Sequence, residues 1–109
     1  MQLTTILAAP LLLTTALAQV ASVSWDNLGH IRVYTQDGNG NIHEAQYDGQ
    51  GWTGPGFIGA TAKKGTAMSA VNSGDRLRVY YQDPNGRTQE HVYEQSSGWV
   101  RGARIPARS

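Results

Sequence analysis

The 109-residue chain contains no cysteine. An exported domain of this size would therefore lack the disulfide staples on which small secreted folds usually depend. It also lacks a dominant charge: nine Lys and Arg face eight Asp and Glu, for a net charge of +1. That balance leaves no basic footprint for a phosphate backbone and no electrostatic pull toward anionic membranes. Long hydrophobic runs are missing too. The longest, Ile6 to Leu17, is broken by Pro10, Thr14 and Thr15 and falls short of the roughly 20 apolar residues that span a bilayer. No amphipathic helix of useful length occurs anywhere.

The short apolar run is followed by Ala16-Leu17-Ala18, the small-x-small pattern that a signal peptidase requires. Although no Lys or Arg precedes the run, we read residues 1–18 as a secretory signal cleaved after Ala18, which predicts an extracellular protein. A buried N-terminal strand or helix is the alternative. The segment from Gln19 to Ser109 is small enough that its core is modest, and association is a natural way to complete it.

What the chain does have is a repeat. His30–Asp48 aligns without a gap on Arg76–Glu94 at an offset of 46, with nine of 19 positions identical. Trp52 and Trp99 match at an offset of 47, so the second copy carries one extra residue in its Glu94–Gly98 turn. A period near 46 suits a propeller blade, in which each unit is a four-stranded sheet. His30–Gln36 and Arg76–Gln82 are rich in β-branched and aromatic residues and predict strands. Asp37-Gly-Asn-Gly40 and Asp83-Pro-Asn-Gly86 predict hairpin turns, leading into returning strands Asn41–Tyr47 and Arg87–Tyr93. Further strands start at Trp52 and Trp99, and shorter ones near Ser22–Trp25 and Ala67–Val71 open each unit. Gly59–Gly65, with Lys63 and Lys64, reads as a solvated link. The expected organisation is all-β, with a first blade over 19–62 and a second over 63–109. Two blades cannot close a ring, so the chain is either a fragment or a unit that assembles head to tail, three chains of two blades giving six.

Each repeat carries one Arg and one Glu on the two arms of its hairpin: Arg32 with Glu44, and Arg78 with Glu90. Their midpoints fall inside the turns, which makes them cross-strand neighbours or nearly so. Because side chains two apart share a face, Arg32 sits with Tyr34 while Ile31 and Val33 point the other way. A forked guanidinium donor beside a carboxylate acceptor suits adjacent hydroxyls on a sugar ring. An indole or phenol face, offered by Tyr47 and Trp52 in one repeat and Tyr93 and Trp99 in the other, suits the ring's apolar C–H patch. A cross-strand ion pair is the structural alternative for Arg and Glu, and packing between blades the alternative for the aromatics. Trp25 has no Trp counterpart and reads as core or rim.

The motif Ile-Arg-Val-Tyr…Asn-Gly-Asn-Ile-x-Glu…Tyr-Asp-Gly-x-Gly-Trp resembles the fucose-specific lectin family of fungi and some bacteria, and the resemblance runs essentially from Ser22 to Gly102. It implies a six-bladed β-propeller, built here from two blades per chain by trimerisation, with metal-independent binding of L-fucose and no cofactor. It further implies that Arg and Glu come from one blade and the aromatics from the next. Arg32 and Glu44 would then hold the sugar against Tyr93 and Trp99, while Arg78 and Glu90 would pair with Tyr47 and Trp52 of a neighbouring chain. The backbone near Gly56 is expected to line a pocket as well. Family pockets often have Trp where Tyr47 and Tyr93 stand. The extra residue before Trp99, and Val100-Arg101 in place of Thr53-Gly54, set the second repeat apart.

Other functions fit less well. A retaining glycosidase needs two carboxyl groups about 5–5.5 Å apart, whereas each repeat offers one Glu beside an Arg, which should keep it ionised; Asp48 has only Glu94 as its repeat counterpart. We therefore expect no enzyme. His30, His43 and His91 align with Arg76, Gln89 and Ala45, so they do not recur in register and read as surface histidines rather than metal ligands. Arg101, Arg104 and Arg108 read as a solvated basic tail. A degenerate propeller fragment serving as a protein-interaction module is the remaining alternative. The expected partners are fucosylated glycans, without nucleic acid or membrane insertion.

Overall fold

The computed structural model describes residues 19–106; the expected signal segment and Arg108 lie outside them. Eight strands form two antiparallel sheets. The first orders β1 (Val20–Trp25), β2 (His30–Gln36), β3 (Asn41–Tyr47) and β4 (Trp52–Thr61); the second orders β5 (Met68–Ser73), β6 (Arg76–Gln82), β7 (Thr88–Glu94) and β8 (Gly98–Ile105). Each is a simple meander, as expected of sequential strands joined by tight turns.

Both β2–β3 and β6–β7 hairpins are closed by an aspartate. Asp37 Oδ1 accepts from the backbone N–H groups of Asn39 and Asn41 at 2.8 and 3.0 Å, and Asp83 Oδ1 from those of Asn85 and Arg87 at 3.0 and 2.9 Å. These Asx turns explain why Asp recurs at the same place in both repeats.

The sheets pack face to face, and the pleat decides which residues meet. The first sheet contributes Val23, Tyr34, Ile42 and Ile58 to the shared core; the second contributes Leu77, Val79 and Tyr81. The even-numbered face of β2 is thus covered, whereas in β6 it is the odd-numbered face. Because the repeats are in register, the two sheets stack in the same sense, each turning a different face to its neighbour.

The link between the sheets is shorter and more buried than a solvated loop. β4 continues through Gly59 to Thr61, and Ala60, Ala62 and Thr66 are buried while Lys63 and Lys64 are exposed. The physical reason is polar satisfaction of the backbone. The Gln36 side chain donates to Lys63 O at 2.8 Å and accepts from Gly65 N at 2.9 Å, Lys63 N donates to Gln82 O at 2.8 Å, and Thr66 Oγ1 accepts from Gln82 N at 2.8 Å. The connection is tied to both β2 and β6, which fixes one sheet relative to the other. Arg101 and Arg104 are exposed but belong to strand β8 rather than to a tail.

Candidate functional site

Between the two sheets opens a cavity of about 550 Å³. Arg32, Glu44 and Gln46 reach it from the first sheet, Tyr93 and Trp99 from the second, and the backbone at Gly54 and Gly56 lines it as well. The register explains the convergence. Arg32 lies opposite Gln46 and Tyr34 opposite Glu44, so Arg32 and Glu44 share a face as diagonal rather than direct partners. Leu77, Tyr93 and Trp99 lie opposite one another across β6, β7 and β8 and face back toward them.

The cross-strand ion pair, the structural alternative for Arg32 and Glu44, does not form among the described residues. Arg32 instead reaches Asp48, with Nη1 and Nη2 donating to the two carboxylate oxygens at 3.0 and 3.4 Å, and Nη1 also donates to Ile31 O and Tyr47 O at 3.0 and 3.3 Å. Trp25 lies under the guanidinium at 4.9 Å, a cation–π contact. Trp25 also stacks on His30, whose Nδ1 is 2.6 Å from Asp48 Oδ1. The hydrogen bonds from His30 and Arg32 hold the Asp48 carboxyl below the usual carboxylate range. One edge of the guanidinium is thereby fixed, and the other is left to the cavity.

Glu44 is buried and is aimed by two neutral donors: Tyr34 Oη at 2.9 Å and Gln46 Nε2 at 2.8 Å. Burial, followed by the charge of Glu44, pushes the Tyr34 hydroxyl well above the ordinary tyrosine range. Tyr34 is therefore a fixed donor that cannot be titrated away near neutrality.

On the facing sheet, Trp99 is clamped. Its ring stacks on His91 at 5.5 Å and 12°, meets Tyr34 edge-on at 5.9 Å, and tilts against Tyr93 at 5.5 Å. His91 is no surface histidine: it is 5% exposed and its Nε2 donates to Ile58 O of the first sheet at 2.8 Å. Burial lowers its pKa, so the neutral ring both bridges the sheets and supports the indole. His30 and His43, by contrast, are partly exposed, and His43 pairs with Asp37 at 2.9 Å.

The remaining four residues of the expected set lie on the two outer faces of the chain, as a pocket shared with a neighbouring copy would require. Arg78 and Glu90 occupy the open face of the second sheet. There Arg78 Nη2 donates to Glu94 Oε2 at 2.6 Å, and Glu90 accepts from Tyr80 Oη at 2.9 Å and Ala103 N at 3.0 Å. Arg78, and then Arg76, lower the Glu94 pKa. The weak contact between Arg78 Nε and Glu90 Oε2 is 3.9 Å. Tyr47 and Trp52 pack against each other at 5.5 Å on the opposite, outward face of the first sheet, where Trp52 is half exposed.

Two features escaped sequence reasoning. Asp48 and Glu94, at the end of each returning strand, are the partners of the two arginines; their alignment as carboxylates was the available signal. Trp25 borders the cavity, and no repeat signal marked it because the structural partner of its strand position is Ser73.

The comparisons with known proteins agree with this architecture. The model of the family described as Fungal fucose-specific lectin matches residues 11–108. A fucose-specific lectin of Aspergillus oryzae is 38% identical over 93 residues, covering 82% of this chain and 29% of the relative. One from Aleuria aurantia is 39% identical over 77 residues, covering 67% and 24%. Among solved structures, an Aleuria aurantia lectin mutant in complex with alpha-methyl-L-fucoside matches with a TM-score of 0.69 and 36% identity, over 78% of this chain and 30% of that one. The Aleuria aurantia lectin described as a six-bladed β-propeller matches with a TM-score of 0.68 and 28% identity, over 88% and 32%. The chain thus spans about three-tenths of the first of these relatives, and its two sheets correspond to propeller blades.

Proposed function

The chain belongs to the fungal fucose-specific lectin family, and from that premise we propose that it binds L-fucose and fucosylated glycans in pockets between adjacent blades. One observation carries the reading: Arg32 and Glu44 of one sheet and Tyr93 and Trp99 of the next border a single cavity. In this reading the free edge of Arg32 donates to sugar oxygens and Glu44 accepts from a hydroxyl hydrogen. Tyr93 and Trp99 pack on the apolar side of the ring. These side chains do the recognition without a metal. Catalysis is not part of this reading, in which Glu44 serves as a hydrogen-bond acceptor aimed by Tyr34 and Gln46.

The second half of the proposal concerns assembly. The open face with Arg78 and Glu90 and the outward face with Tyr47 and Trp52 repeat the two halves of the intrachain pocket. A second copy stacked head to tail would join them, and three copies would close six blades as a homotrimer. A secreted ring of this kind is multivalent, and several pockets on one surface can raise avidity by about 10²–10⁴.

Calorimetric titration with methyl α-L-fucoside tests the site. Arg32→Ala should weaken binding at the intrachain pocket by ~10–100-fold, since charge-assisted hydrogen bonds are lost, while the far-ultraviolet spectrum and melting remain those of a folded protein. Unchanged affinity and stoichiometry would remove Arg32 from the site. Light scattering tests the assembly, for which the expected mass is that of three chains.

A further inference from the structure

Asp75 borders the same cavity, yet it differs from the carboxylates that shape the site. Glu44 is held by Tyr34 and Gln46, and Asp48 by Arg32 and His30. No hydrogen bond or ion pair within the described residues engages Asp75, which is exposed. It sits on the two-residue tip Gly74–Asp75 that joins β5 to β6, where Ser73 and Arg76 close the ladder.

Asp75 is also a shared rim. On its far side lies an open depression of about 450 Å³, lined by Asp75, Arg76, Glu94, Gln95 and Ser96. All five side chains are polar. Glu94 is occupied by Arg76 and Arg78, at 3.1 and 2.6 Å. The Gln95 amide and the Ser96 hydroxyl are exposed and make no side-chain hydrogen bond within the described residues. The depression therefore offers a carboxylate acceptor, an amide with both functions and a hydroxyl, all unspent and adjoining the cavity.

The geometry points to an extended subsite on the β5–β6 and β7–β8 turns, with Asp75 as its bridge, that holds the neutral sugar residue to which a terminal fucose is attached. This deepens the lectin reading and rests on it. A neutral hexose or hexosamine presents hydroxyl and amide N–H donors that a free carboxylate accepts. An anionic unit would meet the carboxylate of Asp75 with only the Nη groups of Arg76 to offset it, because Arg78 and the Arg76 Nε are already paired with Glu94. The turn that carries Asp75 borders the intrachain pocket, and its counterpart in the first repeat is built differently. The first repeat joins β1 to β2 by the four residues Asp26–Gly29, three of them at positive φ, and presents an exposed Leu28. A pocket completed by the first repeat of another copy would therefore meet a longer tip, on which Leu28 stands beside Asp26 and Asn27.

The test compares methyl α-L-fucoside with the neutral disaccharide Fucα1-6GlcNAc and with a sulfated counterpart of that disaccharide, titrated into wild type, Asp75→Ala and Asp75→Asn. Wild type should prefer the neutral disaccharide to the methyl fucoside by ~3–10-fold, the worth of about one net hydrogen bond. Asp75→Ala should abolish that preference and leave methyl fucoside affinity unchanged. Asp75→Asn should narrow the gap between neutral and sulfated ligands. Both variants replace an exposed, unpartnered side chain, so folding is not at stake, and a melting curve verifies it. If wild type binds methyl fucoside but shows no preference for the disaccharide, or if Asp75→Ala keeps the preference, the subsite is wrong and the lectin reading stands. If wild type binds neither sugar, both fail together.

Discussion

The two repeats share nine of 19 aligned hairpin positions but have different surroundings, and the contrast separates what a blade does from what its neighbour does for it. Val23 lies opposite Arg32 and Val71 opposite Arg78. Val23 is 8% exposed and Val71 54%. Tyr34 and Tyr80 each donate to their glutamate at 2.9 Å, yet only Tyr34 is fully buried. The hydrogen bonds are thus a property of the single blade, written into its hairpin register. The full burial of Tyr34 and the cavity beside it come from the blade stacked on top, whereas the hydroxyl pKa is raised in both tyrosines, by burial first in each. The outward faces are accordingly half-sites: one carries the polar pair, the other the aromatic pair.

The largest test of this contrast is to delete the same side chain from both repeats. Tyr34→Ala should cost about 3–5 kcal/mol, as expected for removing a large ring from a packed core, and it also strips a buried glutamate of one donor. Tyr80→Ala should cost roughly 1 kcal/mol or less at low protein concentration, where its face is open. Urea denaturation monitored at several protein concentrations distinguishes the two. If a second copy covers Tyr80, its penalty should grow toward that of Tyr34 as concentration rises. Equal penalties at every concentration would contradict the difference in burial.

A smaller effect should strike one pocket and spare the other. At Gly102 an added Cβ would collide with the Glu90 carboxylate and stand 2.7 Å from Val92 Cγ2, whereas at Gly56, which lies opposite Glu44 in the first sheet, nothing lies within 4 Å. The missing side chain at 102 is therefore the room Glu90 occupies. Gly102→Ala should displace Glu90 and weaken binding at its half-site by ~10-fold, the scale of a lost charged hydrogen bond, with the intrachain pocket untouched. Gly56→Ala, which adds a methyl on the Glu44 face of the intrachain cavity, should leave the Arg78 half-site untouched. In a titration with methyl α-L-fucoside, Gly102→Ala would show about half the tight sites of wild type; a uniform loss would mean that the collision is relieved by unfolding β8.

The strands, the hairpins and the faces were readable from sequence because they depend on local pattern: alternation, Asx turns and a repeat that keeps its register. Arg32, Glu44, Tyr93 and Trp99 were readable as a set because the repeat and the family motif carry them together. The arginines' partners were not, since proximity of Arg32 and Glu44 along the hairpin says nothing of a second carboxylate competing for the same guanidinium. His91 was misread for a related reason. Where the first repeat has Ala45, the second has a histidine whose ring fills the space between the blades and binds Ile58 O. That is a contact between repeats, and a pattern within one repeat cannot report it. The buried link failed similarly, for Gln36 ties down Lys63 and Gly65 across 27 and 29 residues.

The smallest effect concerns Asp48 and its pH dependence. In the first repeat Asp48 is shared by His30 and Arg32; in the second, Glu94 is shared by Arg78 and Arg76. Both carboxyls have depressed pKa values in the folded protein. A carboxyl depressed by folding contributes stability that is fully present above its unfolded pKa, near 4, and that is lost as pH falls through the lower folded value. Asp48 is well exposed, so solvent screens the contribution and it should be slight. Asp48→Asn should lower the urea midpoint a little at pH 7, and the difference from wild type should vanish near pH 2. Sugar affinity is the more telling measurement. Asparagine offers one oxygen where the carboxylate offers two, so Arg32 loses its second anchor and methyl α-L-fucoside should bind a few-fold more weakly. Glu94→Gln should do the same at the other class of pocket. A midpoint difference that persists at pH 2 would mean that Asp48 acts through its shape in the turn rather than its charge. Unaltered affinity would show that Trp25 and the Ile31 and Tyr47 carbonyls orient Arg32 without it.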